Sequence, residues 1–169
     1  QPPIALWNLT RLAETLLPLI DGDQDAAVKR ATGALDTFGG IFEAAYKQGL
    51  ARKLGLAATD AAHALGQDLL ARMSENEADF TLTFRKLCAA GEGTSEGTGD
   101  VRGLFKTPEA FDAWEQDWRK ALAAEPAAGR RAAMEAVNPA FIPRNHRVEE
   151  AIQAAMAGNF QPFETLVTV

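Results

Sequence analysis

Thr107-Pro-Glu-Ala-Phe-Asp-Ala-Trp-Glu-Gln-Asp-Trp-Arg-Lys-Ala-Leu122 carries the clearest helical pattern in the chain. Thr107 can cap a helix, Pro108 has the backbone angle of a first helical turn, and Glu109 places negative charge at the positive end of the helix dipole. Phe111, Trp114, Trp118 and Leu122 then recur at steps of three and four, which lines one face of a helix. The stretch predicts a helix with four large apolar side chains on its inner face.

The same periodicity runs outward in both directions. A first helix is expected from about Ile4 to Ile20, with Leu9, Leu12, Leu16 and Ile20 on one stripe and Asp21-Gly22-Asp23 as its end. From Asp23 to Leu54 a longer segment carries Leu35, Phe38, Phe42 and Tyr46 at helical steps. Gly39-Gly40 predicts a kink in it, each Gly costing about 1 kcal/mol relative to Ala. Gly55 closes that segment. Thr59 or Asp60 caps a third helix bearing Leu65, Leu69 and Met73, and Asp79 caps a fourth bearing Phe80, Phe84 and Leu87. After Pro126 a short helix passes through Met134 and Val137 and stops at Asn138-Pro139, because a proline disfavours helical geometry in the residue before it. His146 to Ala157 forms the next, with Val148, Ile152 and Met156 in register. Asn159 opens a last one carrying Phe163 and Leu166. The expectation is an all-α chain, one domain over residues 1–169, of about seven helices and without internal repeats. Residues 91–101 are expected to be a flexible loop, since Gly91 to Gly99 offer no core-forming side chain and are entropically costly to order.

Bulk properties bound the function. A chain of 169 residues with 47% hydrophobic and 24% charged content buries one core and is not a disordered type. Its net charge of −6 repels phosphate backbones, which speaks against nucleic acid as a partner. A single cysteine, Cys88, cannot form an internal disulfide and suits a reducing compartment, so the cytoplasm is the expected location. No apolar run is long enough to cross a membrane, and no signal-peptide pattern opens the chain. The sequence starts at Gln1 without Met and stops at an apolar run ending in Val169, so both ends are expected to be cuts in a longer protein.

Candidate chemistry is sparse. The glycine segment lacks the Gly-Lys-Ser/Thr ending of a phosphate-binding loop, follows no strand, and carries Glu92, Glu96 and Asp100. His63 and His146 have no second ligand at metal-binding spacing. Cys88 reads as a small buried hydrophobe, Trp114 and Trp118 as core, and the acidic pairs Glu75/Glu77, Asp112/Glu115 and Glu149/Glu150 as solvated helix faces. No catalytic, cofactor-binding or metal-binding residue is assigned. The one dense segment is Asn138-Pro139-Ala140-Phe141-Ile142-Pro143-Arg144-Asn145-His146-Arg147. Its two prolines stiffen a turn, Phe141 and Ile142 can anchor it in the core, and Asn145 can cap the following helix. Arg144, His146 and Arg147 concentrate hydrogen-bond donors that could tie the turn down or, alternatively, bind an anion or a partner.

The run from Asn138 to Ile152 resembles the C-terminal signature of the selenoprotein O (YdiU) family, protein adenylyltransferases on a protein-kinase-like fold. Three further stretches agree in order: Gln1-Pro2 with Trp7-Asn8-Leu9 and Arg11-Leu12-Ala13-Glu14, then Lys53-Leu54-Gly55-Leu56, then Asp79-Phe80-Thr81 with Phe84-Arg85. The resemblance covers essentially the whole chain, departing at the glycine segment and at Asn159, where the family pattern has Asp.

What the resemblance implies is a parent enzyme that transfers AMP from ATP to protein hydroxyls with magnesium or manganese, its ATP and metal site lying upstream of Gln1. Residues 1–169 would then be a helical scaffold resembling the C-terminal part of a kinase-like fold. Its partners would be the missing N-terminal part and the protein substrates. Such a piece would expose apolar surface on its first helix, around Leu6 and Trp7, and self-association through it would follow. The alternative is a stand-alone helical protein-interaction module.

Overall fold

The computed structural model describes residues 2–93 and 95–168, except the side chains of 95 and 96; Gln1, Thr94 and Val169 lie outside them. Among the described residues every regular element is a helix: α1 (Pro2–Ile20), α2 (Gln24–Asp36), α3 (Phe38–Lys53), α4 (Asp60–Glu75), α5 (Phe80–Ala90), α6 (Ser95–Arg102), α7 (Pro108–Ala123), α8 (Arg130–Glu135), α9 (Asn145–Met156) and α10 (Gln161–Thr168). The all-α expectation holds. None of these helices is long and apolar enough to cross a membrane.

Two compact units make up the chain, residues 1–50 and 51–169. In the first, α1 packs on α2, whose start is capped by Asp23 accepting from the N–H groups of Asp25 and Ala26. The long segment from Asp23 to Leu54 is two helices, and the break falls at Thr37, not at Gly39-Gly40. The Thr37 hydroxyl donates to the carbonyl of Ala34 at 2.7 Å, and its N–H reaches the same carbonyl at 3.2 Å. A side chain competing for the helix's own acceptors ends α2 there, and both glycines fall in the first turn of α3. Phe38, Phe42 and Tyr46 stack down one side of α3 at about 6 Å between rings.

The second unit holds the larger core. Phe105, Phe111, Trp114 and Trp118 form a continuous aromatic file with ring centres 5.4, 5.8 and 5.4 Å apart, and all four are buried. Their inward face on α7 is the one that the three-and-four spacing selects. Each indole also satisfies its N–H: Trp114 Nε1 donates to the carbonyl of Leu65 and Trp118 Nε1 to that of Leu54, both at 2.9 Å. Leu54, Leu69, Met73, Phe84, Leu87 and Met134 complete the core, and Phe80 stays half in solvent against Phe84.

Capping follows the sequence at two sites and departs from it at two. Thr59 accepts from Ala62 N–H and Asp79 from Leu82 N–H. Thr107 stands at the cap position of α7 but makes no side-chain capping bond; its N–H instead donates to Oδ1 of the buried Asn76 at 2.9 Å. Asn145 is the first residue of α9 rather than its cap, Arg144 holds that position, and no side chain caps the helix.

The segment 91–101 differs most from expectation. Residues Ser95–Arg102 form α6, packed on α5 and α7. Gly97 makes this approach close: a Cβ there would stand 2.8 Å from Ala90 N and 2.9 Å from Ala89 C. Arg102 reaches Asp112 at 2.8 Å and Arg119 reaches Thr98 at 2.8 Å, further ties across α6 and α7. Glycine is here the means of helix-to-helix contact as well as a source of chain entropy. Break and extra helix together bring the number of helices above about seven.

Candidate functional site

Asn138 is a polar centre of the second unit, 1% exposed, three residues past the end of α8. A buried amide must place its hydrogen-bonding groups, and this one does. Its Nδ2 donates to the carbonyl of Lys53 at 2.9 Å and lies 3.5 Å from Cys88 Sγ, and its Oδ1 accepts from Lys53 Nζ at 3.1 Å. Its main-chain N–H donates to Met134 O at 2.9 Å and its carbonyl accepts from Arg85 Nη1 at 3.1 Å.

Lys53 answers from the end of α3. Its Nζ donates also to Val137 O at 2.8 Å and lies 5.3 Å from the ring centre of Phe84 and 5.8 Å from that of Phe80. Two carbonyl-type oxygens and two ring faces give the ammonium a full set of neighbours. Burial holds the Lys53 pKa below the usual lysine range, opposed by attraction to Cys88. Burial likewise pushes the Cys88 thiol up, an effect opposed by the Asn138 amide and by Arg85. A thiol raised by desolvation stays protonated at neutral pH and is a poor nucleophile. The cluster ties the end of α3 at Lys53 and Arg85 of α5 to the segment that follows α8.

Beyond Asn138 the chain emerges into solvent. Pro139 and Pro143 are exposed, Phe141 is 71% exposed and Ile142 is exposed too, so neither anchors the turn in the core as the sequence suggests. Residues 141–144 carry no regular secondary structure, and all four are exposed. Arg144 Nη2 meets Asp79 Oδ2 at 3.0 Å, with the side chains 47% and 35% exposed. Asp79 is held below the usual aspartate range first by the Leu82 N–H that it caps and then by Arg144. Arg147 pairs with Glu150 one turn along α9 at 2.9 Å, and Asn145 and His146 are exposed on the first turn of that helix. The predicted residues therefore divide: Asn138 is a buried tie, Arg144 a surface one, and the rest line the outside. Among the described residues no group of three His, Cys, Asp or Glu side chains comes together as a metal ion would need.

Lys53 and Arg85 are the residues that spacing alone does not single out, since a lysine and an arginine on separate helices carry no local signature. They do lie in the stretches that carry the resemblance. Lys53, Asp79, Phe80, Phe84, Arg85 and the run from Asn138 are distant in sequence, and the fold gathers them around one amide and one ion pair.

The model of the family described as "Protein adenylyltransferase SelO" matches residues 1–169. The chain belongs to this family. A protein nucleotidyltransferase YdiU of Methylorubrum populi is 57% identical over 178 residues, which takes in 100% of this chain and 36% of that protein. The YdiU proteins of Rhodopseudomonas palustris BisB5 and Nitrobacter hamburgensis are 56% and 50% identical, again over 100% of this chain and over 35% and 34% of their own lengths. The chain thus spans about a third of the SelO-family relatives that it matches.

Proposed function

We propose that residues 1–169 are the helical scaffold portion of a protein adenylyltransferase whose ATP and metal site lies in another part of the polypeptide, on a kinase-like fold. The observation that carries this reading is the match to the family over the whole chain, together with a length only 36% of the Methylorubrum relative. In the complete protein a Ser, Thr or Tyr hydroxyl of a protein substrate attacks the α-phosphorus of ATP. Its oxygen bonds to AMP, its proton leaves to solvent, and pyrophosphate departs. Magnesium or manganese supplies charge neutralisation for the phosphates. What the residues of this chain contribute is support: Asn138, Lys53 and Arg85 tie α3 and α5 to the segment that follows α8, and the partners are the remainder of the protein and its protein substrates. The lone protonated thiol of Cys88 suits work in the cytoplasm.

Full-length protein incubated with α-labelled ATP and magnesium tests the reading. Label should pass to protein hydroxyls, while residues 1–169 alone should show neither transfer nor ATP binding by calorimetry. Micromolar ATP affinity in residues 1–169, abolished by substitutions there, would place a nucleotide site in this chain and overturn the proposal.

A further inference from the structure

The first unit has almost no interior. Among the described residues up to Leu50, only Ala27 and Leu50 are buried, and α1 has no buried residue at all. Yet α1 is the most apolar long helix of the chain, with Arg11 and Glu14 as its only charges, and these pair with each other at 2.6 Å. Leu12 is 54% exposed, Trp7 61% and Leu19 82%. Ordering some fifty residues costs backbone entropy at every one of them, and two buried side chains cannot offset that.

The exposed side chains leave α1 on two sides. Leu9, Leu12 and Leu16 face an open apolar groove of about 370 Å³, closed elsewhere by Leu35, Phe38 and Ile41 of the two following helices. Trp7 stands nine residues, two and a half turns, before Leu16 and so projects from the opposite side. A helix apolar on more than one side belongs inside a larger core. A second copy, meeting the chain through one patch, would cover one side and leave the other wet. With its two charges already paired, the surface offers a partner no electrostatic selection, as in an obligate interface that resembles a core cut in half. The larger part of the relatives' length lies outside the matched region, and that length is available to cover it.

We infer that α1 is a core helix of the complete protein, embedded on both the groove side and the Trp7 side by the part of the same polypeptide that lies outside residues 1–169. This deepens the proposed function and rests on it only in requiring that the remainder exist.

The test uses the full-length protein with a benzophenone-bearing amino acid in place of Leu12 or, separately, Trp7. Irradiation should give a cross-linked species that runs as monomer, with the partner peptides mapped by mass spectrometry to sequence outside residues 1–169. Cross-linked dimer, adducts confined to residues 51–169, or no adduct at either position would each overturn the inference. Should both replacements prevent folding, oxidative footprinting of the unmodified protein decides: Trp7 should label several-fold more slowly than free tryptophan, and labelling at the free rate would overturn it. AMP transfer assayed on the same samples keeps the two readings apart. Activity with an accessible Trp7 sinks this inference alone, whereas a covered Trp7 without transfer sinks the proposed activity alone.

Discussion

Lys53 and Asn138 hold each other twice across 85 residues of chain, the amide Nδ2 on the lysine carbonyl at 2.9 Å and the ammonium on the amide Oδ1 at 3.1 Å. Asn138→Ala removes both bonds and leaves a buried carbonyl and a partly buried ammonium short of partners. The loss should be about 2–4 kcal/mol, since each stranded group costs about 1–3. Urea unfolding of the variant measures it, and a change under about 1 kcal/mol would show that water replaces the amide without cost.

The Arg144–Asp79 pair is exposed, so the tie that the sequence suggests is a weak one. Arg144→Ala should cost less than about 1 kcal/mol, the usual range of surface pairs. Asn145→Ala should change stability little, because Asn145 caps nothing. Asp79→Ala should cost about 1 kcal/mol, more than either, because it also removes the cap of α5. Thermal melts rank the three. In the complete protein these variants should lose AMP transfer only as far as folding is lost; a fully stable Arg144→Ala variant without transfer would reassign the segment as a functional site.

Acid should expose the same carboxylate. Asp79 is depressed in the folded state, so its contribution is present above the ordinary aspartate value of about 3.9 and is lost as pH falls through its lower folded value. Asp79→Asn keeps an acceptor for the Leu82 N–H and removes the charge. The stability gap between wild type and this variant should therefore shrink as pH falls from about 6 to about 3. A gap that stays constant would mean the charge contributes nothing.

Two glycines of α6 should behave oppositely. Gly97→Ala drives a methyl into the backbone of Ala89 and Ala90 and should cost about 1–3 kcal/mol by overpacking. Gly99, in the same helix, has open space for 4 Å around the position a methyl would take, and Gly99→Ala should stabilise by about 0.5–1 kcal/mol. Equal effects at the two positions would show that α6 does not lie against α5.

How much of this is legible in the sequence depends on how local the determinant is. The face of α7, the caps Thr59 and Asp79, and the burial of Cys88 and Trp118 are set within a turn or two, and periodicity and residue chemistry reveal them. Thr37 ends α2 through one hydroxyl bond that competes with a weaker-looking rule about glycine. Gly97 reads as disorder until a neighbouring backbone is placed against it. Asn138 can be marked as part of a dense turn, but its partners sit on helices 53 and 85 residues away. Phe141 and Ile142 mislead because apolar type does not guarantee burial, and the chain leaves the core at Pro139.

The three tryptophans give the molecule two separate optical reporters. Trp114 and Trp118 stack at 5.4 Å with an interplanar angle of 20°, fully buried, each with its N–H on a carbonyl. Paired indoles held so rigidly in an apolar site emit at short wavelength and give a strong near-ultraviolet dichroic signal that disappears when residues 51–169 unfold. In residues 1–169 taken alone, Trp7 is 61% exposed beside the Arg11 guanidinium and should emit at long wavelength, reporting on residues 1–50. A single denaturation of the Trp7→Phe variant beside wild type would therefore resolve by colour whether the two units melt together or one after the other.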